Sequence, residues 1–245
     1  MGSIRTPEIT EAYRIESPHG NFYVPRSNGG DPVVAQMISG MLFEESVIRT
    51  CLQYITPGST VIDIGSNFGQ MAVQFARAVG PTGAVHGIEA SSFIIDYARR
   101  SMAENTDCTN VMLHHAAAWT ESNLVKQMYL PTWGSWSGAG LGLKEHSGED
   151  HDWEEVTTLA VDDIPLTSPV SLIKIDVQGA DWHAMAGAKN ILLRDRPTVV
   201  FEYEHYYDAI FNKTLDDYKS FLEDVNYEII GTVDNNQHDF ICRPR

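Results

Sequence analysis

Seven residues, Asp63-Ile64-Gly65-Ser66-Asn67-Phe68-Gly69, join a short apolar run to a helical pattern. Gly65 permits a tight turn and close approach of a ligand to the backbone. Gly69 lets the start of the next helix pack closely. The pattern departs from the dinucleotide fingerprint G-x-G-x-x-G, because Asn67 stands where the second glycine would admit a pyrophosphate. A carboxylate at Asp63 disfavours phosphate and suits a cationic ligand bearing an amine or a sulfonium. Glu89 ends the next apolar run, twenty residues beyond Gly69. A carboxylate there accepts hydrogen bonds from both ribose hydroxyls; the bland alternative is an acid that caps a helix. Asp63, Gly65, Gly69 and Glu89 together point to S-adenosylmethionine, with Asn67, Ala90, His115 and Ala116 as further contacts at the strand ends.

Methyl transfer from a sulfonium is an in-line displacement, so the acceptor must be aligned, and a hydroxyl acceptor must lose its proton near the transition state. Asp176 follows a fourth apolar run and can orient or deprotonate a hydroxyl there. Glu202, Glu204 and His205 follow the fifth. His205 is a candidate general base, the role imidazole side chains fill most often, and Glu202 is a candidate acceptor contact. Asp162 and Asp163 with Asp176 offer a weaker alternative, a divalent cation. Neighbouring residues of an extended segment point opposite ways, which disfavours it. Trp133 and Trp136 in the glycine-rich run 133–140 form a candidate wall over a sugar face or an apolar scaffold.

These residues need a frame, and the hydrophobic periodicity supplies one. Strands are expected at 61–64, 84–89, 111–115, 171–177 and 198–203. Helices are expected at 68–79, from the Ser91-Ser92 cap onward, at 182–193 and at 215–225. Helical spacing also runs from Pro32 to Ile55, and a strand pair is expected at 13–15 and 21–24. Strands alternating with helices predict an α/β fold with a mostly parallel sheet covered on both faces. The closing runs 227–231 and 239–242 predict an antiparallel edge hairpin. Ligands of such sheets bind beyond the carboxyl ends of the strands. The expected organisation is an N-terminal extension, 1–30, and a single domain, 31–245. The irregular segment 116–170, with hairpin strands near 125–130 and 156–161, is the expected substrate-loop insertion.

Composition narrows the partners. The chain of 245 residues is 43% hydrophobic and 20% charged, which is globular. Its net charge of −16, without a basic cluster, argues against nucleic acid. No apolar run reaches spanning length, which argues against a membrane. Three separated cysteines, with neither metal nor disulfide spacing, fit a reducing cytoplasm. The opening Met1-Gly2-Ser3-Ile4-Arg5-Thr6 fits the loose myristoylation pattern and reads better as a cloning scar. The expected partner is a small hydroxylated acceptor, and a homo-oligomer stays open.

The segments 61–69, 87–90, 172–181 and 199–202 resemble the FkbM family of methyltransferases, most specifically at Lys174-Ile175-Asp176-Val177-Gln178-Gly179-Ala180-Asp181. The family pattern there is K-I-D-V-E-G-[AY]-E, so Gln178 and Asp181 replace its two glutamates. The resemblance implies a class I methyltransferase (Rossmann-like) fold and S-adenosylmethionine. It also implies methylation of a hydroxyl, commonly on a sugar or natural-product scaffold, with Gln178 and Asp181 near the acceptor. Competing readings are a nicotinamide-dependent oxidoreductase, opposed by Asn67, and an inactive cofactor-binding partner protein.

Overall fold

The structure is a computed structural model describing residues 12–26, 30–130, 136–141, 152–235 and 237–245. The chain opens with β1 (Ala12–Ser17), β2 (Gly20–Pro25), α1 (Pro32–Ile38) and α2 (Glu45–Leu52). Then follow β3 (Thr60–Ile64), α3 (Gln70–Val79), β4 (Ala84–Glu89), α4 (Ser92–Glu104) and β5 (Val111–His115). The insertion contributes β6 (Ala117–Ala118), β7 (Val125–Leu130), β8 (Gly140–Leu141) and β9 (Asp152–Leu159). The chain ends with β10 (Val170–Ile175), α5 (Asp181–Ala186), α6 (Lys189–Asp195), β11 (Thr198–Glu202), α7 (Asp208–Phe211), α8 (Leu215–Asp224), β12 (Tyr227–Thr232) and β13 (Asp239–Pro244).

The central sheet has seven strands in the order β12-β13-β11-β10-β3-β4-β5. β11, β10, β3, β4 and β5 run parallel, and β13 is antiparallel to both of its neighbours. Alternation of side chains divides the interior in two. Val61, Val85, Leu172 and Val200 pack with Phe68, Phe75 and Tyr97 on the side of α1 to α4. Ile62, Ile64, Ile173, Ile175 and Phe201 pack with Leu192 and Tyr218 on the side of α5, α6 and α8. Every residue of β3 is buried, which is why that strand reads as a continuous apolar run interrupted only by Asp63. From β3 the chain proceeds outward to β4 on one side, while β10 lies on the other, so the strand order reverses between β3 and β10. A crevice opens there.

The insertion forms a separate four-stranded sheet, β6-β9-β7-β8. Ser91 caps α4 as its sequence suggested, its hydroxyl accepting the Ile94 N–H at 3.2 Å. Two expected helices are broken. The helical spacing from Pro32 to Ile55 splits into α1 and α2, because Gly40 and Glu44 take left-handed conformations with φ 78° and 51°. The expected helix 182–193 splits into α5 and α6 at Gly187, where a Cβ would lie 2.0 Å from the Trp119 carbonyl oxygen. Both breaks are imposed by tertiary contacts that periodicity does not register.

Candidate active site

A cavity of about 320 Å³ opens at the β3/β10 crevice, within the range of small-molecule sites. Its floor is the turn after β3. Gly65 has φ 81°, and a Cβ there would lie 1.8 Å from the Asp176 carbonyl oxygen, so no other residue fits. Asn67 is also left-handed, φ 50°, which aims its N–H at Glu89. The two oxygens of Glu89 accept the Asn67 N–H at 3.0 Å and the Ser91 N–H at 2.8 Å. Glu89 therefore fixes the turn as well as lining the cavity, and beyond the Asn67, Ser91 and Ala90 N–H groups its carboxyl keeps acceptor capacity for a ligand hydroxyl. Ile88, Ile94, Ala116, Ala117, Ala118 and Met128 form an apolar wall beside it.

The other end is polar and acidic. Lys174 of β10 is 3% exposed, and its ammonium donates to Asp176 at 2.9 Å. In the sheet register Lys174 stands beside Asp63 of β3, on the same face. Burial alone would lift the Asp176 carboxyl, but Lys174 and hydrogen bonds from Glu202 and Gln178 hold it below its ordinary value. Glu202 goes the other way: burial, then the Asp176 and Asp181 charges, push it up to about 10. The proton therefore stays on Glu202 and is donated to Asp176. Tyr207 donates to Gln178 Oε1 at 2.7 Å, which turns the Gln178 amide nitrogen toward Asp176.

The roof comes from the insertion and α1. Ser137, Gly138, Ala139, Gly140 and Leu141 line the cavity together with Pro32 and Val33. Asp31, fully buried, latches the two. It caps α1 through the Val34 N–H at 3.0 Å and accepts the Ser137 N–H at 2.8 Å. Trp133 lies outside the described residues, and of Trp136 the backbone alone is described, opening the short 3-10 turn Trp136–Gly138.

Of the residues expected in the site, Gly65, Asn67, Glu89, Ala90, Ala116, Asp176, Gln178 and Glu202 meet in this cavity. Six others have different tasks. Asp63 lies beneath the turn, so the cation it faces is the protein's own Lys174. Gly69 packs α3 on α4, where a Cβ would lie 2.8 Å from Met102 Cε. His115 is exposed and its Nε2 bonds the Ala90 carbonyl at 3.1 Å, outside the cavity. Asp181 is buried, bracing the loop after β10 by accepting the Gly179 N–H at 3.1 Å. His205 is exposed on the 3-10 turn His205–Tyr207 and is not among the lining residues, so adjacent strand ends do not bring its ring to Asp176. Asp162 accepts the Asn190 and Ile191 N–H groups at 2.8 and 2.9 Å, capping α6, which separates it from Asp176. Among the described residues no group of three His, Cys, Asp or Glu side chains is placed to hold a metal ion.

Sequence reasoning missed Asp31, Glu44 and Tyr207. Asp31 had a legible signal, an acid directly before the Pro32 that starts a helix.

The buried acids predict how stability depends on pH. Burial raises Asp63 to about 6 and, against its backbone hydrogen bonds, Glu89 to about 7; burial with nearby carboxylates raises Glu44 and Asp181 to about 7. A carboxyl raised in the folded state adds stability at low pH that is lost as pH rises through its folded value. His86, His114 and His183, lowered by burial, oppose this, but only until the unfolded histidines have lost their protons near pH 6.5. The melting temperature of the ligand-free protein is therefore expected to fall from pH 6.5 to pH 8. A flat or rising profile there, measured by scanning calorimetry, would contradict these assignments.

The profile of the methyltransferase FkbM domain matches residues 63–229. No curated protein matches the chain. The fold is similar to that of a methyltransferase FkbM from Methylobacillus flagellatus KT, with TM-score 0.51 and 15% identity over 80% of this chain and 49% of that one. This chain thus spans about half the length of that protein. It is also similar to M. jannaschii TYW2 in complex with AdoMet, with TM-score 0.52 and 10% identity over 94% of this chain and 84% of that one. At such identities the likeness is one of fold. It bears out the class I methyltransferase sheet, mostly parallel with an antiparallel edge hairpin and helices on both faces. No helix among the described residues is long and apolar enough to cross a membrane.

Proposed function

The chain belongs to the FkbM family of methyltransferases, and from that footing we propose that it methylates a hydroxyl of a small molecule, a sugar or a glycosylated natural-product scaffold, with S-adenosylmethionine as donor. The observation that carries this reading is one continuous cavity with two chemically distinct ends. The Gly65 turn, Glu89 and an apolar wall form one end, while Asp176, Gln178 and Glu202 form the other. The residues fit the donor: Glu89 offers lone pairs to ribose hydroxyls, the wall beside Ile88 and Ile94 takes an adenine, and Gly65 admits a ligand to the backbone. When bound, S-adenosylmethionine supplies a methyl group made electrophilic by a positively charged sulfur. Asp176, held ionised, accepts the hydrogen bond of an acceptor hydroxyl and aligns its oxygen. The insertion roof, latched through Asp31, excludes water from that end. The net charge of −16 counts against an RNA acceptor.

Titration calorimetry is the direct test. The protein is expected to bind S-adenosylmethionine in preference to NAD. Glu89→Ala is expected to weaken binding by about 1.5–3 kcal/mol, the range for hydrogen bonds to a charged group. An unchanged dissociation constant would remove Glu89 from the ribose site. A screen of hydroxylated metabolites for methyl transfer tests the acceptor class, and binding without transfer to any of them would favour an inactive partner protein.

A further inference from the structure

Glu44 belongs to no motif in the sequence, yet it lines the main cavity and also a second one of about 40 Å³ beside it, sharing both walls with Asp176. It is not a glycine, but its backbone is left-handed, φ 51° and ψ 45°. Such a conformation persists only where the surroundings impose it, commonly at functional sites. Here the preceding residues are clamped. The Gln70 side chain accepts the Phe43 N–H at 2.7 Å and donates to the Met41 carbonyl at 3.1 Å. Gln36 donates to the Leu42 carbonyl at 2.8 Å. The break between α1 and α2 thus presents one carboxylate to the cavity.

We propose that Glu44 is the general base of the methyl transfer. This rests on the methyl-transfer reading above. As the acceptor oxygen forms its new bond to the methyl carbon, its proton passes to a Glu44 carboxylate oxygen. The electron pair of the broken carbon–sulfur bond stays on sulfur and cancels its positive charge, so no further reactant is needed. Asp176 is poorly suited to keep that proton, because Lys174, Glu202 and Gln178 already engage it as donors. No hydrogen bond or ion pair among the described residues occupies the Glu44 carboxylate. The charged groups facing it are Lys174 of β10, Asp176 just after β10 and Asp239 of β13. The Cys51 thiol of α2 also faces it and stays neutral, pushed up by burial. Behind them, Asp63 of β3 adjoins Lys174 and Glu202 of β11 adjoins Asp176. Burial first, offset by Lys174 and reinforced by Asp176 and Asp239, pushes Glu44 up to about 7, the range that suits a base at neutral pH.

Two readouts test this on the full chain, and one needs no acceptor. S-adenosylmethionine binding is measured by calorimetry at pH 7 in phosphate and in Tris, whose ionisation heats differ. A group half-protonated at that pH releases about half a proton when a positive charge arrives beside it. Glu44→Gln is expected to reduce the release by that amount and to weaken binding about tenfold, the affinity that such a proton release carries by linkage. With an acceptor from the metabolite screen, kcat/KM for S-adenosylmethionine should rise with pH through about 7, and Glu44→Gln should lower kcat by about 10²–10⁴-fold and abolish that limb. If Glu44→Gln does not fold, Glu44→Asp should keep the limb with a reduced kcat. Unchanged proton release, or an unchanged limb and kcat in either variant, overturns the assignment. A wild-type protein that binds no S-adenosylmethionine overturns the functional reading instead.

Discussion

Lys174→Met is expected to destabilise the protein by about 3–5 kcal/mol at pH 8, the cost of removing one partner from a buried ion pair. The ammonium lies in the middle of the sheet, 3% exposed. Removing it leaves Asp176 without its 2.9 Å partner and Asp63 without its cross-strand neighbour. Asp63 has no alternative, since neither of its oxygens has a hydrogen-bond partner among the described residues. Burial would then force both acids to take up protons, which costs more free energy as the pH rises. The loss should therefore shrink at pH 5.5, where Asp63 is already largely protonated, its value being raised to about 6. Urea denaturation at the two pH values measures both terms. A loss below about 1 kcal/mol at pH 8 would mean that the pair behaves as a surface ion pair.

Asp176→Asn is expected to lower kcat by about a hundredfold, the scale of a misaligned reactant, with S-adenosylmethionine affinity within a few-fold of wild type. The amide keeps the side-chain shape and one oxygen for Lys174. It replaces a charged acceptor with a group that is donor on one side, so it can no longer receive Glu202, Gln178 and an acceptor hydroxyl together. The cofactor end depends on Glu89 and the Gly65 turn, which this substitution does not touch. Single-turnover kinetics at saturating donor isolates the effect. Full turnover by Asp176→Asn would assign alignment to Glu202 or Gln178.

The contrast between Glu89 and His205 shows how far linear order reaches. Each stands at or just beyond the end of a strand of the parallel sheet, and each has a side chain suited to its expected task. Glu89 ends its strand within the fold of the turn it serves, so local spacing suffices to place it. His205 stands three residues past the end of β11, on a turn whose direction depends on what it packs against. Its ring is exposed, while Tyr207 from the same turn reaches Gln178.

Periodicity and turn chemistry by themselves determined the order of the sheet elements, the edge hairpin, the glycine turn and the acid that ends β4, because each is a property of a few consecutive residues. Only the tertiary structure decided which polar groups share a cavity. Glu44 reads as one more residue of a helical run, because the contacts of Gln36 and Gln70 that break that helix come from side chains up to 29 positions away. Asp63 and Asp181 read as ligand contacts, because sequence cannot show that Lys174 already faces one and that backbone N–H groups already bind the other. Buried charges take their partners from whatever the fold brings near, and desolvation then sets which of them keep their protons.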